Sequence, residues 1–530
     1  MSSKESLTYP IYSLASQGDS PPLPRIPFPT ADPTHMPPLK ILFVSPEVDP
    51  FVKVGGLADM VGSLPKDLAA MGHDVRVVCP AYGSIKIDDD WKARGEPLGV
   101  DVGSGTHWGR TWETHLPDSE VPLYCLEHGE FFDRPEVYAG PWGDHPDNDL
   151  RFSFFCRGSL TLCQQLGWIP DVVHCHDWTT GLIPLMLNTV LRDTPIGQAA
   201  TVFTIHNLEH QGYCDQRALD FAHIPVAEFR DDSAESHGKV NMMKAGLYHS
   251  TKITTVSPTY AEEIKTESGG FGLDHVLRFR AADLLGIVNG IDTDGWNPAI
   301  DQTIPSTYTA DDLSGKAVCK AELQKQLGLV VNPDIPLFGV ISRFATQKGL
   351  DLLAECLPKV LEGMQVQFAV LGSGDGELET MFRAATARFP SKLGLHVGFN
   401  AKLAKLIQAG SDFFVMPSRA EPCGLTQLYA MRYGTLPIVR ATGGLIDTVD
   451  QYGEGTTEGT GFKFEDATAL ALANTIGWAC STYYDQPEAY RQLQANGMAR
   501  DFSWGASAKS YVDVYQWAIA ARRGEATVDV

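Results

Sequence analysis

The residues of this chain best suited to chemistry are charged and polar side chains that each follow an apolar run. Lys53 lies in "FVKVGGLADMVG", just ahead of Gly55 and Gly56, between a strand-like run and a helix-like one. Glycine lets a phosphate approach the backbone closely, a helix start offers N–H groups, and lysine adds a mobile positive charge. The plainer alternative is a tight turn beside a solvated lysine. Arg343 and Lys348 in "SRFATQKG" follow the run "LFGVIS", and Glu421 in "SRAEPCG" follows "FFVMP". Gly443 and Gly444 in "ATGG" follow "LPIV" at another helix start. Each cation alone reads as a surface charge. Lys53, Arg343 and Lys348 together with the two glycine turns, all at carboxyl ends of strand-like runs, predict a diphosphate site.

"DVVHCHDWTTG" and "FTIHNLEHQG" end the same way. His174, His176, His206 and His210 could be read as metal ligands, but H-x-H on a strand fixes only one face and no third ligand. Asp177 and His206 read better as polar groups lining a cleft, with loop-capping as the alternative. "GSGDGE" at 372–377 lacks the spacing of a dinucleotide fingerprint and reads as a loop. The acidic runs at 88–90 and 231–232 read as solvated loops, so no metal site is expected.

These residues need elements to position them. "LKILFVS" predicts a buried strand, and Leu57, Met60, Val61, Leu64 and Leu68 fall at helical spacing after it. "HDVRVVCP", "DVVHCHD", "ATVFTIHN", "KITTVSP" and "GIVNGI" continue as strands to about residue 291. A polar connector runs to Ser314, and a second series follows in "PLFGVISR", "VQFAVLGSG", "GLHVGF", "DFFVMPS" and "LPIVRATGG". Two runs of alternating strand and helix predict two doubly wound α/β domains with mainly parallel sheets, whose ligands bind at the carboxyl ends of the strands. The expected division is a disordered leader over 1–38, an N-terminal domain over 39–291, a C-terminal domain over 292–502, and a helix and tail over 503–530.

Composition narrows the function. The chain has 530 residues and a formal net charge of -23, which disfavours nucleic acid and anionic membranes as partners. An anion site must therefore be local. The 10 cysteines are scattered without C-x-x-C spacing, which suits a reducing compartment. No apolar run reaches the length of a membrane span. The Pro-, Ser- and Thr-rich leader carries no signal core or Arg-rich amphipathic pattern, so a cytoplasmic location is expected ahead of a plastid one.

The segments "KVGGLADMVGSLPKDLAAMGHDVRVVCPAYG", "HCHDW", "FTIHNLEHQG", "KAGLYHSTKITTVSPTYAEEI", "VNGIDTDGWNP", "SRFATQKGLDLL", "SRAEPCGLTQLYAMRYGTLPIVRATGGLIDTV" and "DFSW" occur in that order from about Leu39 to Ala520. Together they closely resemble the bacterial glycogen synthase and plant starch synthase family. The resemblance implies a GT-B glycosyltransferase, two Rossmann-like domains facing across a cleft, with ADP-glucose as donor, an α-1,4-glucan (glycogen or starch) as acceptor and no cofactor. It assigns Lys53, Gly55 and Gly56 to the diphosphate and Asp59 to the donor's nucleotide end. Asp177 matches the acidic residue by the acceptor, His206 the histidine beside the transferred glucose, and Asn207 and Asn289 the sugar side. Arg343 and Lys348 match the diphosphate clamp, and Glu421 the carboxylate under the glucose. Cys423, Gly424, Leu425 and Thr426, with Gly443 and Gly444, fall on the substrate side. Phe399 stands where relatives often carry a tyrosine against adenine. Tyr429 stands where the broader class often carries a second glutamate for the ribose, which puts that contact alone in question.

The resemblance also implies a mechanism. Retention at the anomeric carbon needs positive charge stabilised there and negative charge stabilised on departing ADP, the latter by Arg343, Lys348 and Lys53 in place of a metal. Double displacement through a carboxylate nucleophile is the rival. A glucan phosphorylase would need its pyridoxal-binding lysine in context, and a nicotinamide dehydrogenase its glycine fingerprint. Neither is found. A non-catalytic glucan-binding protein would tolerate loss of the charged clamp, which this chain keeps.

Overall fold

The computed structural model describes residues 37–140 and 142–525. The expected leader, apart from its last two residues, and the end of the expected tail lie outside them.

The first sheet has ten strands. Its parallel part comprises β1 (Lys40–Val44), β2 (Asp74–Pro80), β3 (Pro122–Glu127), β4 (Val172–His176), β5 (Ala200–Ile205), β6 (Lys252–Thr255) and β7 (Leu284–Gly286), in the order β7-β6-β5-β4-β1-β2-β3. Strand β1 is central, with Val44 paired to Val78 on one side and Cys175 on the other. It is almost wholly buried, as an apolar run flanked on both faces should be. Register then fixes the site: His176 lies opposite Thr204, so the residues that follow β4 and β5 leave the sheet side by side.

Beyond β3 the sheet departs from the parallel pattern expected. Antiparallel strands at Gly105–His115, Leu98–Val102 and Lys92–Ala93 extend it. The longest of these is exposed or half-exposed everywhere but at Thr111 and holds no continuous apolar run, so it gives little strand signal. The run "GIVNGI" also differs, because only Leu284–Gly286 is strand. A Cβ on Gly290 would lie 2.6 Å from the Trp504 backbone nitrogen, and Ile291 donates its N–H to the Phe502 carbonyl at 2.8 Å. The segment is held against the returning C-terminal chain instead of continuing the sheet.

The second sheet has six parallel strands. They are β8 (Leu337–Ile341), β9 (Gln367–Gly372), β10 (Leu393–Val397), β11 (Phe413–Met416), β12 (Leu436–Arg440) and β13 (Phe462–Phe464), in the order β10-β9-β8-β11-β12-β13. Phe338 is in register with Phe368 and Phe413, and the rings stack at 5.0 and 4.9 Å. All three are fully buried. Burial of each contributes roughly 2–3 kcal/mol, which locks the register that aligns the strand ends.

Four helices matter for the site. α1 (Gly56–Ala70) follows β1, α2 (Pro258–Glu263) follows β6, and α3 (Gly444–Thr448) follows β12. α4 (Trp504–Arg523) follows the second sheet in sequence but packs on the first, and Tyr515 reaches His174 there.

Candidate active site

The carboxyl ends of β1, β4, β5, β8 and β11 open onto one cleft of about 1190 Å³. Every expected site residue lines it except Phe399, Gly443 and Gly444.

On the first-sheet wall Asp177 has φ 54° and ψ -176°, a strained conformation otherwise confined almost entirely to glycine. That turn lets its Oδ1 accept the backbone N–H of His206 at 2.8 Å and of Asn207 at 3.4 Å. One carboxylate thus caps the neighbouring strand end. Burial pushes its pKa up to about 7, partly opposed by those N–H groups. His206 shares a hydrogen bond of 3.1 Å between its Nε2 and His176 Nδ1, and burial lowers it to about 3. His174 is fixed by Tyr515 at 2.9 Å and Thr204 at 2.6 Å, so it is a packing group. Among the described residues no three His, Cys, Asp or Glu side chains are grouped to hold a metal ion. Asn289 is buried at the cleft with an Oδ1 that has no partner among the described residues.

The glycine turn ahead of α1 is already occupied in part. Glu47 accepts the N–H of Val54 at 2.6 Å and of Gly55 at 2.9 Å, and Tyr138 donates its hydroxyl to the same carboxylate at 2.5 Å. The Gly55 N–H is therefore not offered to an anion as expected, since a buried carboxylate beside it takes the bond. Lys53 pairs with Asp59 at 2.5 Å and Asp49 at 3.5 Å. Burial works against its charge, but the two carboxylates outweigh it and hold the ammonium above its usual range.

On the second-sheet wall Lys348 donates to both oxygens of Glu421, at 2.9 and 2.7 Å, and Ser418 donates to one of them at 3.0 Å. Gly349 makes this approach possible. It has φ 66°, and a Cβ there would sit 1.9 Å from the Pro417 carbonyl oxygen. Arg343 lies exposed in the cleft, and its guanidinium has no partner among the described residues.

Three of the expected residues stand away from the cleft lining. Phe399 is 94% exposed and off the cleft, because β10 that precedes it is the edge strand of its sheet. Gly443 and Gly444 pack behind the Glu421 loop. A Cβ on Gly443 would meet the Glu421 carbonyl oxygen at 2.1 Å, and one on Gly444 the Cys423 carbonyl oxygen at 2.3 Å. They support the loop from behind and do not face the cleft.

Comparison with known proteins supplies the relationship. Residues 40–279 match the family described as starch synthase catalytic domain, and residues 322–499 match glycosyl transferases group 1. Glycogen synthase 1 of Geobacter metallireducens is 46% identical over 92% of this chain and 97% of its own length. Glycogen synthase of Anaeromyxobacter sp. is 45% identical over 90% of this chain and 99% of its own. The chain belongs to the glycogen and starch synthase family of glycosyltransferases. The catalytic domain of starch synthase IV from Arabidopsis thaliana, solved with ADP and acarbose, superposes with a TM-score of 0.84 at 34% identity, over 91% of this chain and 100% of that one. Its architecture is the two-sheet GT-B fold. Sucrose-phosphate synthase from Thermosynechococcus elongatus, 20% identical with a TM-score of 0.55, shares the fold alone.

Within this glycosyltransferase the sequence reading missed Glu47, Tyr138 and Trp296, which stacks on Tyr429 at the cleft wall with ring centroids 3.8 Å apart. Glu47 had a usable signal, as an acid just past the first strand in "SPEVDP". Tyr138 had none, because the loop that carries it is placed only by tertiary contacts.

Proposed function

We propose that this glycosyltransferase moves glucose from ADP-glucose to the non-reducing 4-hydroxyl of an α-1,4-glucan, with retained configuration and release of ADP. The carrying observation is the pairing of Lys348 with Glu421 beside an unpartnered Arg343, across one cleft from Asp177 and His206. An ammonium has three donors, and Glu421 takes two of them. The third, with Arg343, is free for a phosphate oxygen. As the bond from the anomeric carbon to phosphate breaks, its electron pair leaves with ADP, where these cations and Lys53 stabilise it. Glu421 stabilises the positive charge left on the sugar. The acceptor oxygen bonds on the same face, and its proton passes to the departing phosphate.

Both Glu421 oxygens are already engaged by Lys348, and one by Ser418 as well. That makes it a poor nucleophile and supports same-face transfer over double displacement. Asn289 Oδ1 and the exposed side of Asp177 suit sugar hydroxyls, and Phe399, outside the cleft lining with its ring exposed, is free to stack on the adenine. The cation set replaces a metal. Ten free cysteines, nine of them buried, favour a cytoplasmic setting. Among the described residues no helix is long and apolar enough to cross a membrane.

The test is ADP or UDP release from each sugar nucleotide with a glycogen primer, with and without excess chelator. Turnover at least about tenfold better with ADP-glucose and unchanged by chelator is expected, a margin of about 1.4 kcal/mol. Equal use of UDP-glucose would defeat the donor assignment, and a loss reversed by Mg²⁺ would defeat the metal-free clamp.

A further inference from the structure

Helix α2 and helix α3 belong to different sheets, yet each lends the other a carboxylate. Asp447 of α3 accepts the Thr259 N–H at 2.9 Å and the Thr259 hydroxyl at 2.8 Å. Glu263 at the end of α2 accepts the Gly443 N–H at 2.9 Å and the Thr442 hydroxyl at 3.2 Å. Ser257 adds a bond of 2.6 Å to the Pro422 carbonyl, one residue from Glu421. The exchange reaches both sets of reacting groups. On the α3 side Gly444 donates its N–H to the Glu421 carbonyl at 3.1 Å, and Gly443 lies against that same carbonyl. On the α2 side the Tyr260 hydroxyl accepts the N–H of Leu208 at 3.2 Å, two residues from His206.

We propose that Glu263 and Asp447 are positioning residues that hold the Glu421 loop in register with the His206–Asn207 loop across the cleft. Neither carboxylate lines the cleft, so neither touches substrate. Each satisfies an N–H at the start of a helix too short to hold its place by its own hydrogen bonds. The pair therefore fixes the α2–α3 junction, and the junction fixes the two loops. The residue types suit the task. Asp447 grips Thr259 with both oxygens, Oδ2 taking the N–H and Oδ1 the hydroxyl, which fixes the carboxylate plane against the start of α2. Gly443, at φ 46°, brings its N–H to Glu263 while its lack of a Cβ lets the Glu421 backbone close behind it. The inference rests on reading Glu421 as the catalytic carboxylate.

The experiment is a mutant cycle on the full chain. Glu263→Ala and Asp447→Ala are each made in the wild type and in Glu421→Gln, with kcat, both KM values and thermal midpoint measured. In the wild-type background each should lower kcat about 30-fold and change either KM less than about threefold. In Glu421→Gln the further loss should be below about threefold, because a residue acting through Glu421 has little left to position. Glu263→Gln keeps an acceptor oxygen and should stay within about threefold of wild type. Should the alanine variants not fold, Asp447→Asn, which loses one of its two bonds to Thr259, carries the same cycle with a loss of about three- to tenfold. Losses that multiply fully in the Glu421→Gln background, or a normal kcat in both alanine variants, would overturn the positioning role alone. Normal turnover of Glu421→Gln by itself would overturn the catalytic reading, and this inference with it.

Discussion

The two walls of the cleft handle charge in opposite ways. On the first-sheet wall burial removes it: His174, His176 and His206 are held below the usual histidine range, and Asp177 is raised toward neutrality. On the second-sheet wall charge is kept, as the Lys348–Glu421 ion pair and an open Arg343. Both walls are strand ends of parallel sheets, so topology is not the difference. The difference is desolvation. A buried polar group is tolerable when hydrogen-bonded and neutral, whereas a charge persists where it has a partner or reaches water. The first wall suits the hydroxyls of a sugar, and the second suits a phosphate leaving with negative charge. Lys53 and its acids are the exception, a charged cluster at the glycine turn of the neutral wall.

Removing charge from the second wall should have the largest effect. Glu421→Gln keeps the shape and should lower kcat about 10³-fold, or about 4 kcal/mol, while ADP affinity measured by calorimetry stays within about threefold. If ADP affinity fell in step, Glu421 would belong to nucleotide binding or folding. A trapped glycosyl ester on it would restore double displacement.

The cations come next and should separate from each other. Arg343→Ala and Lys348→Ala should each cost about 2–4 kcal/mol in kcat, with glucan affinity little changed. Arg343 has no partner among the described residues, so its loss should leave the thermal midpoint unmoved. Lys348→Ala strands Glu421, only 7% exposed, without its counter-ion, and should lower the midpoint as well. Near-normal turnover in both would end the clamp.

The same contrast explains what could be seen in the sequence. Strand-end logic pointed to Arg343, Lys348, Glu421, Asp177 and His206, all of which line the cleft, because each lies on the segment that leaves the carboxyl end of an apolar strand. It gives no guidance where a residue's place is set from elsewhere. The side of the sheet on which Phe399 would emerge depends on β10 being an edge strand, which no local pattern encodes. Gly443 and Gly444 read as a phosphate turn, but the feature that required glycine was the Glu421 backbone behind them. The half-exposed strand at Gly105–His115 lacked the apolar run that would have marked it.

On the first wall effects should be smaller. Glu47 orders the turn that carries Lys53 through the Val54 and Gly55 N–H groups. Both N–H groups share Oε2, so Glu47→Ala, which removes that acceptor, should raise the donor KM about five- to tenfold, with kcat within about threefold. A fall in kcat with donor KM unchanged would move Glu47 from ordering the turn to acting on the reaction.

Asp177 gives the smallest expected effect and the most direct test of a neutral wall. Its carboxyl titrates at about 7 in the fold, against roughly 3.9 in an unfolded chain. Between those values the native state holds the extra proton, so the stability this group contributes is full in acid and is lost as pH rises through 7. Asp177→Asn removes the titration and keeps an oxygen for the His206 and Asn207 N–H groups. Because Asp177 borders the open cleft, water screens part of the cost, and about 1–2 kcal/mol is expected. The thermal midpoint of the variant, relative to wild type, should therefore rise by about 2 °C between pH 5 and pH 8. Histidine titration, including that of His206 in the opposite sense, is common to both proteins and cancels in the difference. A difference that stayed flat across that range would mean that Asp177 is ionised at both ends, and the first wall would then carry charge as the second does.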